Sequence, residues 1–253
     1  MIYVTRNKEG QNKTRTCIFV FGLYARMTIF KILGILVLMS GVELALFLKM
    51  FWSAKGSYSF LNYVQMNNLW MICLGGFLLV TYVLCMAGTA YGSMTSYTFN
   101  RLPVDEKGIF FAQVLYNIFV YVVFAAVQVA VIFLMGSIWV KEADSLYSQE
   151  LFLAFYQDTF LHSLFPMEDV LLWWRNICWL LALGVSGAEH VYLQRKGSKI
   201  NASLIVLLAM MILFGRTSLV AVGNCIFTSF VALMIIVYVL GCNVFTKGDA
   251  YDE

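Results

Sequence analysis

Long apolar runs recur along the chain, at about residues 32–48, 69–91, 109–139, 170–193 and 219–245, with a shorter one over 200–214. A run of about 20 apolar residues is long enough to cross the hydrocarbon of a bilayer. No water meets the backbone there, so only a helix or a closed barrel satisfies every N–H and C=O. These runs are continuous and do not alternate as barrel strands do. The chain therefore reads as an all-α integral membrane protein. Its balance agrees: 61% of the 253 residues are hydrophobic and only 12% are charged, whereas a soluble domain carries about 25% charged residues. The net charge of +3 is small and points to no nucleic-acid partner. No cleavable signal peptide is expected, because residues 1–15 are polar and basic and no small-residue cleavage site follows.

In chain order, a polar tail carries Arg6, Lys8, Lys13 and Arg15. Residues 17–31 mix apolar groups with Arg26 and Lys31. That pattern fits an amphipathic helix lying in the interface, or a simple extension of the first span. The first span, about 32–48, contains Glu43, the one acid deep in a membrane run. A charge there is costly and should face a partner or a wet path. It is either a substrate or ion contact or a structural, hydrogen-bonded carboxyl. The second span, 69–91, ends in Gly88 and Gly92 at a spacing that permits close helix contact. Gln128 lies near the middle of the long third span. Residues 141–165 interleave acids with Leu151, Phe152, Phe155, Phe160, Leu161 and Leu164, which favours a short amphipathic helix on the outer surface. Pro166, Glu168 and Asp169 suit a helix start. In the fourth span Trp173 and Trp174 fit an interfacial aromatic belt, beside which Arg175 can snorkel outward. The fifth span begins near Ile200, and its end is open: Gly215 to Ser218 forms the outer turn, or the helix continues past Arg216. The sixth span contains Asn224.

Positively charged loops stay on the cytoplasmic side. With six spans and both termini cytoplasmic, Arg6, Lys8, Lys13, Arg15, Arg26, Lys31, Arg101, Lys107, Arg195, Lys196, Lys199 and Lys247 lie inside. Lys49, Lys55, Lys141 and Arg216 lie outside, with Arg175 near the outer edge. Twelve against five sets the orientation. The asparagines of Asn12-Lys-Thr14 and Asn201-Ala-Ser203 then face away from the glycosylation machinery.

Catalytic patterns are sparse. There is no G-x-x-x-x-G-K-[ST] phosphate loop, so any ATP must be bound by another chain. The six cysteines show no metal-ligand spacing and read as small apolar packing residues. His162 and His190 sit in no metal motif. Gly184-Val-Ser-Gly187 is similar to the nucleophile turn of rhomboid proteases. That family needs a histidine on a later helix, whereas His190 follows Ser186 by one turn of the same helix. Helix packing by small residues is the better reading.

The polar interruption over residues 91–117 contains Leu102-Pro103-Val104, then Asp105, Glu106 and Lys107, then Gly108 and an apolar helix. This order resembles the cytoplasmic loop between the second and third helices of ABC-2-type transporter permeases. Members of that family commonly carry L-P-[VI]-S-[RK] there. Here Asp105 replaces the serine, and the basic residue, Lys107, comes two positions later. The resemblance implies one permease domain over residues 1–253: a tail and interfacial helix at 1–31, a six-helix body at 32–245 with a coupling loop at about 93–108, and a cytoplasmic tail at 246–253. It also implies a bacterial cytoplasmic-membrane exporter of an amphipathic substrate such as a drug, a peptide antibiotic or a lipid-like molecule. A second permease copy or a paralogue would pair with it. A cytoplasmic ABC ATPase holding ATP and Mg would dock on Thr98, Phe99, Asn100, Arg101, Leu102, Pro103, Val104, Asp105, Glu106 and Lys107. No cofactor is expected on this chain. Glu43, Gln128 and Asn224 are the candidate substrate or ion path. The rival readings are a secondary transporter using Glu43 and a membrane-embedded enzyme, for which Ser186, Glu189 and His190 are further candidates.

Overall fold

The structure is a computed structural model that describes residues 2–54, 58–87, 106–142, 148–195, 202–213 and 222–241. Every element among them is helical. Helix α1 spans Ile2–Ala54, α2 Phe60–Met66, α3 Leu69–Met86, α4 Glu106–Glu142, α5 Ser148–Gln157, α6 Thr159–Leu164, α7 Val170–Arg195, α8 Ala202–Leu213 and α9 Val222–Tyr238. Among the described residues, five stretches are long and apolar enough to cross a membrane: Ile18–Ser53, Leu69–Met86, Glu106–Lys141, Val170–Arg195 and Val222–Gly241. The protein is a multi-pass membrane protein. Large apolar side chains such as Phe30, Leu33, Val37, Leu79, Leu115, Phe119 and Phe227 face outward from these helices, as lipid-facing surfaces require.

α4 is the hub of the bundle. It packs on α1 and α7 and also touches α3 and α5. The α1 contact explains why no separate interfacial helix forms at residues 17–31. Val20, Tyr24 and Thr28 are buried on the same stripe as Ile32, Leu36, Met39, Glu43, Phe47 and Phe51. Steps of three and four keep one face of a single helix toward α4. Of the two readings of residues 17–31, the extension of the first span holds and the separate interfacial helix is corrected: α1 runs unbroken for 53 residues. The 36-residue apolar part of α1 measures about 54 Å at 1.5 Å per residue, more than a bilayer core needs.

Other boundaries shift by less. α4 begins at Glu106, ahead of the expected start at Ile109, with the acid in its first turn beside the positive end of the helix dipole. α8 has 12 residues, too few for a crossing by itself. The expected outer surface helix is two helices, α5 and α6, separated by Asp158, whose Oδ1 accepts from the backbone N–H groups of Phe160 and Leu161 at 3.0 Å each. Gly88 and Gly92 lie outside the described residues.

Side-chain contacts give the helix directions. Tyr24 meets Gln113, and Glu43 meets Gln128, so α1 and α4 run parallel. Tyr121 on α4 donates to Thr81 on α3, while Cys73 at the start of α3 lies within electrostatic reach of Glu43; α3 is antiparallel to both. On α7, Ser186 contacts Ser203 of α8. Met211 of α8 shares a cavity wall with Trp173 and Trp179. α8 is therefore antiparallel to α7. α9 is parallel to α7: Cys225 near its start bonds Arg175, and Val239 joins the cluster of Phe110, Ala188 and Tyr192. The first half of α1, the start of α4 and the ends of α7 and α9 thus share one end of the bundle. α2, α5 and α6 cap the other. There Trp139 Nε1 donates to the Tyr58 carbonyl, Phe133 stacks on Phe155, and Leu151 covers Gly136.

Candidate functional site

Two of the three proposed path residues meet. Glu43 on α1 and Gln128 on α4 are both 0% exposed. Gln128 Nε2 donates to Glu43 Oε1 at 3.0 Å and to Oε2 at 3.1 Å. Helical phase aims both side chains at the seam, because each lies on its helix's buried stripe. Gln128 Oε1 has no hydrogen-bond partner. A carboxyl in this position is costly to ionise without donors, and the amide supplies them. Asn224 stands apart: it is exposed on α9, which packs against α7.

Arg175 is the buried ion that sequence reasoning missed. The expectation that it snorkels outward is corrected, because its side chain is 0% exposed. Its Nε and Nη2 donate to Asn176 Oδ1 at 3.3 and 3.0 Å, and its guanidinium lies 5.8 Å from the Trp179 ring centre. Cys225 of α9 also bonds it. The signal was the helical phase. Leu172, Arg175, Cys178, Trp179, Ala182 and Ser186 are all buried, whereas Trp173, Trp174 and Ile177 are exposed. Arg175 follows the aromatic belt in sequence but occupies the opposite face. Asn176 in turn donates from Nδ2 to the Ser163 carbonyl at 2.8 Å, and His162 meets Asp169 at 3.0 Å, which ties the capping helices to the start of α7.

Beside this group lies a cavity of about 160 Å³ between α3, α4, α6, α7 and α8. Trp70, Phe77, Tyr121, Phe124, Trp173 and Trp179 are among the aromatic residues of its wall, and Asn176 gives it an amide. A space of this size and lining suits a small apolar group.

Nearer the loop-bearing end, Ser203 Oγ donates to Glu189 Oε2 at 2.6 Å and contacts Ser186 Oγ at 2.9 Å. His190 contacts Gln194 instead. Ser186 is therefore linked to a serine and a carboxylate rather than to an imidazole base. The adjacent glycines serve packing. A Cβ at Gly184 would lie 2.4 Å from Ile118 Cγ1, and Asn117 Nδ2 donates to the Gly184 carbonyl at 3.2 Å.

Of the proposed ATPase-contact residues, Thr98, Phe99, Asn100, Arg101, Leu102, Pro103, Val104 and Asp105 lie outside the described residues. Glu106 and Lys107 open α4, with Glu106 exposed. Among the described residues no group of three or more His, Cys, Asp or Glu could hold a metal. No protein-family model, curated protein or solved structure matches this chain.

Proposed function

We propose that this chain is the permease subunit of an ATP-driven exporter of ABC-2 type, with six spans and both termini in the cytoplasm of a bacterial cell. The observation that carries the reading is the parallel course of α7 and α9. On this reading the chain between these two parallel helices, beginning with α8, makes the fifth of six crossings. Six crossings would put both chain ends and the loop between the second and third spans on one side, the side to which the positive-inside rule assigns twelve of the basic residues. That is the arrangement a cytoplasmic ATPase needs in order to grip the loop between the second and third spans.

Closure of the partner ATPases would drive residues 97–107, the last two of which open α4. A 37-residue helix that contacts α1, α3, α5 and α7 carries a displacement at its first turn into the whole body. The two ends of that equilibrium can be shifted only by differential binding at the loop. The substrate would be amphipathic and taken from the membrane, using apolar surface such as the Trp70–Trp179 cavity wall.

The test is purification of the tagged chain in mild detergent from its native cell, followed by reconstitution with whichever ATPase accompanies it. Arg101→Glu and a Pro103→Ala change should abolish transport-linked ATP hydrolysis while leaving membrane insertion intact. Normal coupling in both variants would sink the proposal.

The buried Glu43–Gln128 contact favours a second reading, a secondary transporter that moves a proton or cation through Glu43. The two readings part at Glu43→Gln. It should halt transport on the second reading and leave ATP-coupled export running on the first.

A further inference from the structure

We propose that Arg195, Gln113 and Tyr24 line a binding site for a phosphate-type oxyanion, the headgroup of an anionic lipid or a soluble phosphate, between α1, α4 and α7 at the loop-bearing end of the bundle. Buried donors without acceptors mark the place, whatever the protein transports. Tyr24 OH donates to Gln113 Oε1 at 3.0 Å. That bond turns the other end of the amide away, and Gln113 Nε2, on a side chain 1% exposed, is buried without a hydrogen-bond partner. Arg195 Nε and Nη2 are likewise buried without partners, and no ion pair reaches Arg195 among the described residues.

Arg195 and Gln113 flank one inter-helix contact from either side, and their side chains lean toward it. Tyr192 packs its ring on Phe110 at 6.0 Å between centres. Arg195 follows Tyr192 by one turn, and Gln113 follows Phe110 by one turn on the antiparallel helix. Long side chains on a helix lean back toward its N-terminus, which carries the Arg195 guanidinium toward the level of Gln113. Its charge acts on Tyr24, the residue bonded to Gln113. Buried donors with no acceptor cost stability. A guanidinium edge offers two parallel N–H groups at the spacing of two phosphate oxygens. Basic pockets between transmembrane helices near the cytoplasmic face take up anionic headgroups by this chemistry.

The experiment is native mass spectrometry of the purified full-length chain released from detergent, titrated with phosphatidylglycerol, phosphatidylcholine or inorganic phosphate. The wild type should retain phosphatidylglycerol over phosphatidylcholine. Arg195→Gln should weaken that retention about tenfold, the loss of one charge-assisted contact. Gln113→Leu should weaken it by a smaller factor. Arg195→Lys keeps the charge but not the fork and should fall between, which guards against a folding defect in Arg195→Gln. Retention of inorganic phosphate with the same dependence on Arg195, and no preference for phosphatidylglycerol, would assign the site to a soluble anion. Equal retention in the wild type, Arg195→Gln and Gln113→Leu would overturn the proposal. So would an equal loss in Arg26→Gln, which removes an exposed charge two residues from Tyr24.

Discussion

Glu43, Gln128 and Arg175 show what single residues do in this protein. Gln128 answers both oxygens of a carboxyl that no water reaches. Gln128→Leu strands that carboxyl and should destabilise the protein by about 1–3 kcal/mol. Replacing both partners by apolar groups of similar shape is nearly neutral in such cases, so Glu43→Leu combined with Gln128→Leu should recover part of the loss. Denaturation midpoints in detergent give the coupling through a double-mutant cycle; additive losses would contradict it. Arg175 and Trp174 make a second contrast between neighbours in sequence. Arg175→Ala removes a fully buried side chain with its hydrogen bonds, at a cost on the order of 2 kcal/mol. Trp174 is more than half exposed, and Trp174→Ala should stay within about 0.5 kcal/mol. Equal midpoints for the two variants would mean that Arg175 faces outward after all. The Glu43–Gln128 pairing escaped the sequence. Glu43 and Gln128 were legible as costly residues in apolar runs, but 85 positions separate them. Only the packing of α1 on α4 makes them partners.

At the scale of elements, the α4–α7 seam depends on missing side chains. A Cβ at Gly184 would press on Ile118 at 2.4 Å and approach its backbone nitrogen at 3.4 Å. Gly184→Ala must therefore displace the Ile118 side chain or the helix that carries it, and overpacking of this kind costs about 1–3 kcal/mol. A Cβ at Gly41 on α1 would meet nothing within 4 Å. Gly41→Ala should stabilise its helix by about 0.5–1 kcal/mol. The pair predicts midpoint shifts of opposite sign, and shifts of the same sign would refute the close seam. Small residues at Gly184 and Gly187 were readable as packing residues, since their spacing recurs on one helix face. Which helix they receive was not, because any of the apolar helices offers Ile or Val side chains. Likewise the basic residues of 17–31 look interfacial in isolation. They become part of α1 once Val20, Tyr24 and Thr28 find α4.

For the whole molecule, the parallel pair α7 and α9 leads to a topology that can be measured. In a background without native cysteines, single cysteines at Asn100 and Lys247 should both resist a membrane-impermeant maleimide added to intact cells, and one at Tyr58 should react. Labelling of only one of the first two would place them on opposite sides and exclude an even number of crossings. The five apolar stretches alone imply that odd count. It is the placement of Cys225 beside Arg175 that argues for another crossing through α8. The measurement bears on the permease proposal as well, since a coupling loop must share its side with the ATPase.

The sequence by itself determined that this is a helical, multi-pass membrane protein. Apolar runs of bilayer length leave the backbone almost no other way to satisfy its hydrogen bonds. It also marked where the costly residues lie, because an acid or amide in such a run stands out by composition alone. The tertiary structure decided which of them meet, that Arg175 turns inward, and that residues 17–31 continue the first helix. Those outcomes depend on which faces of distant helices come into contact. Lipid-facing and helix-facing surfaces are both apolar, so hydropathy does not distinguish them, and only the packed bundle does.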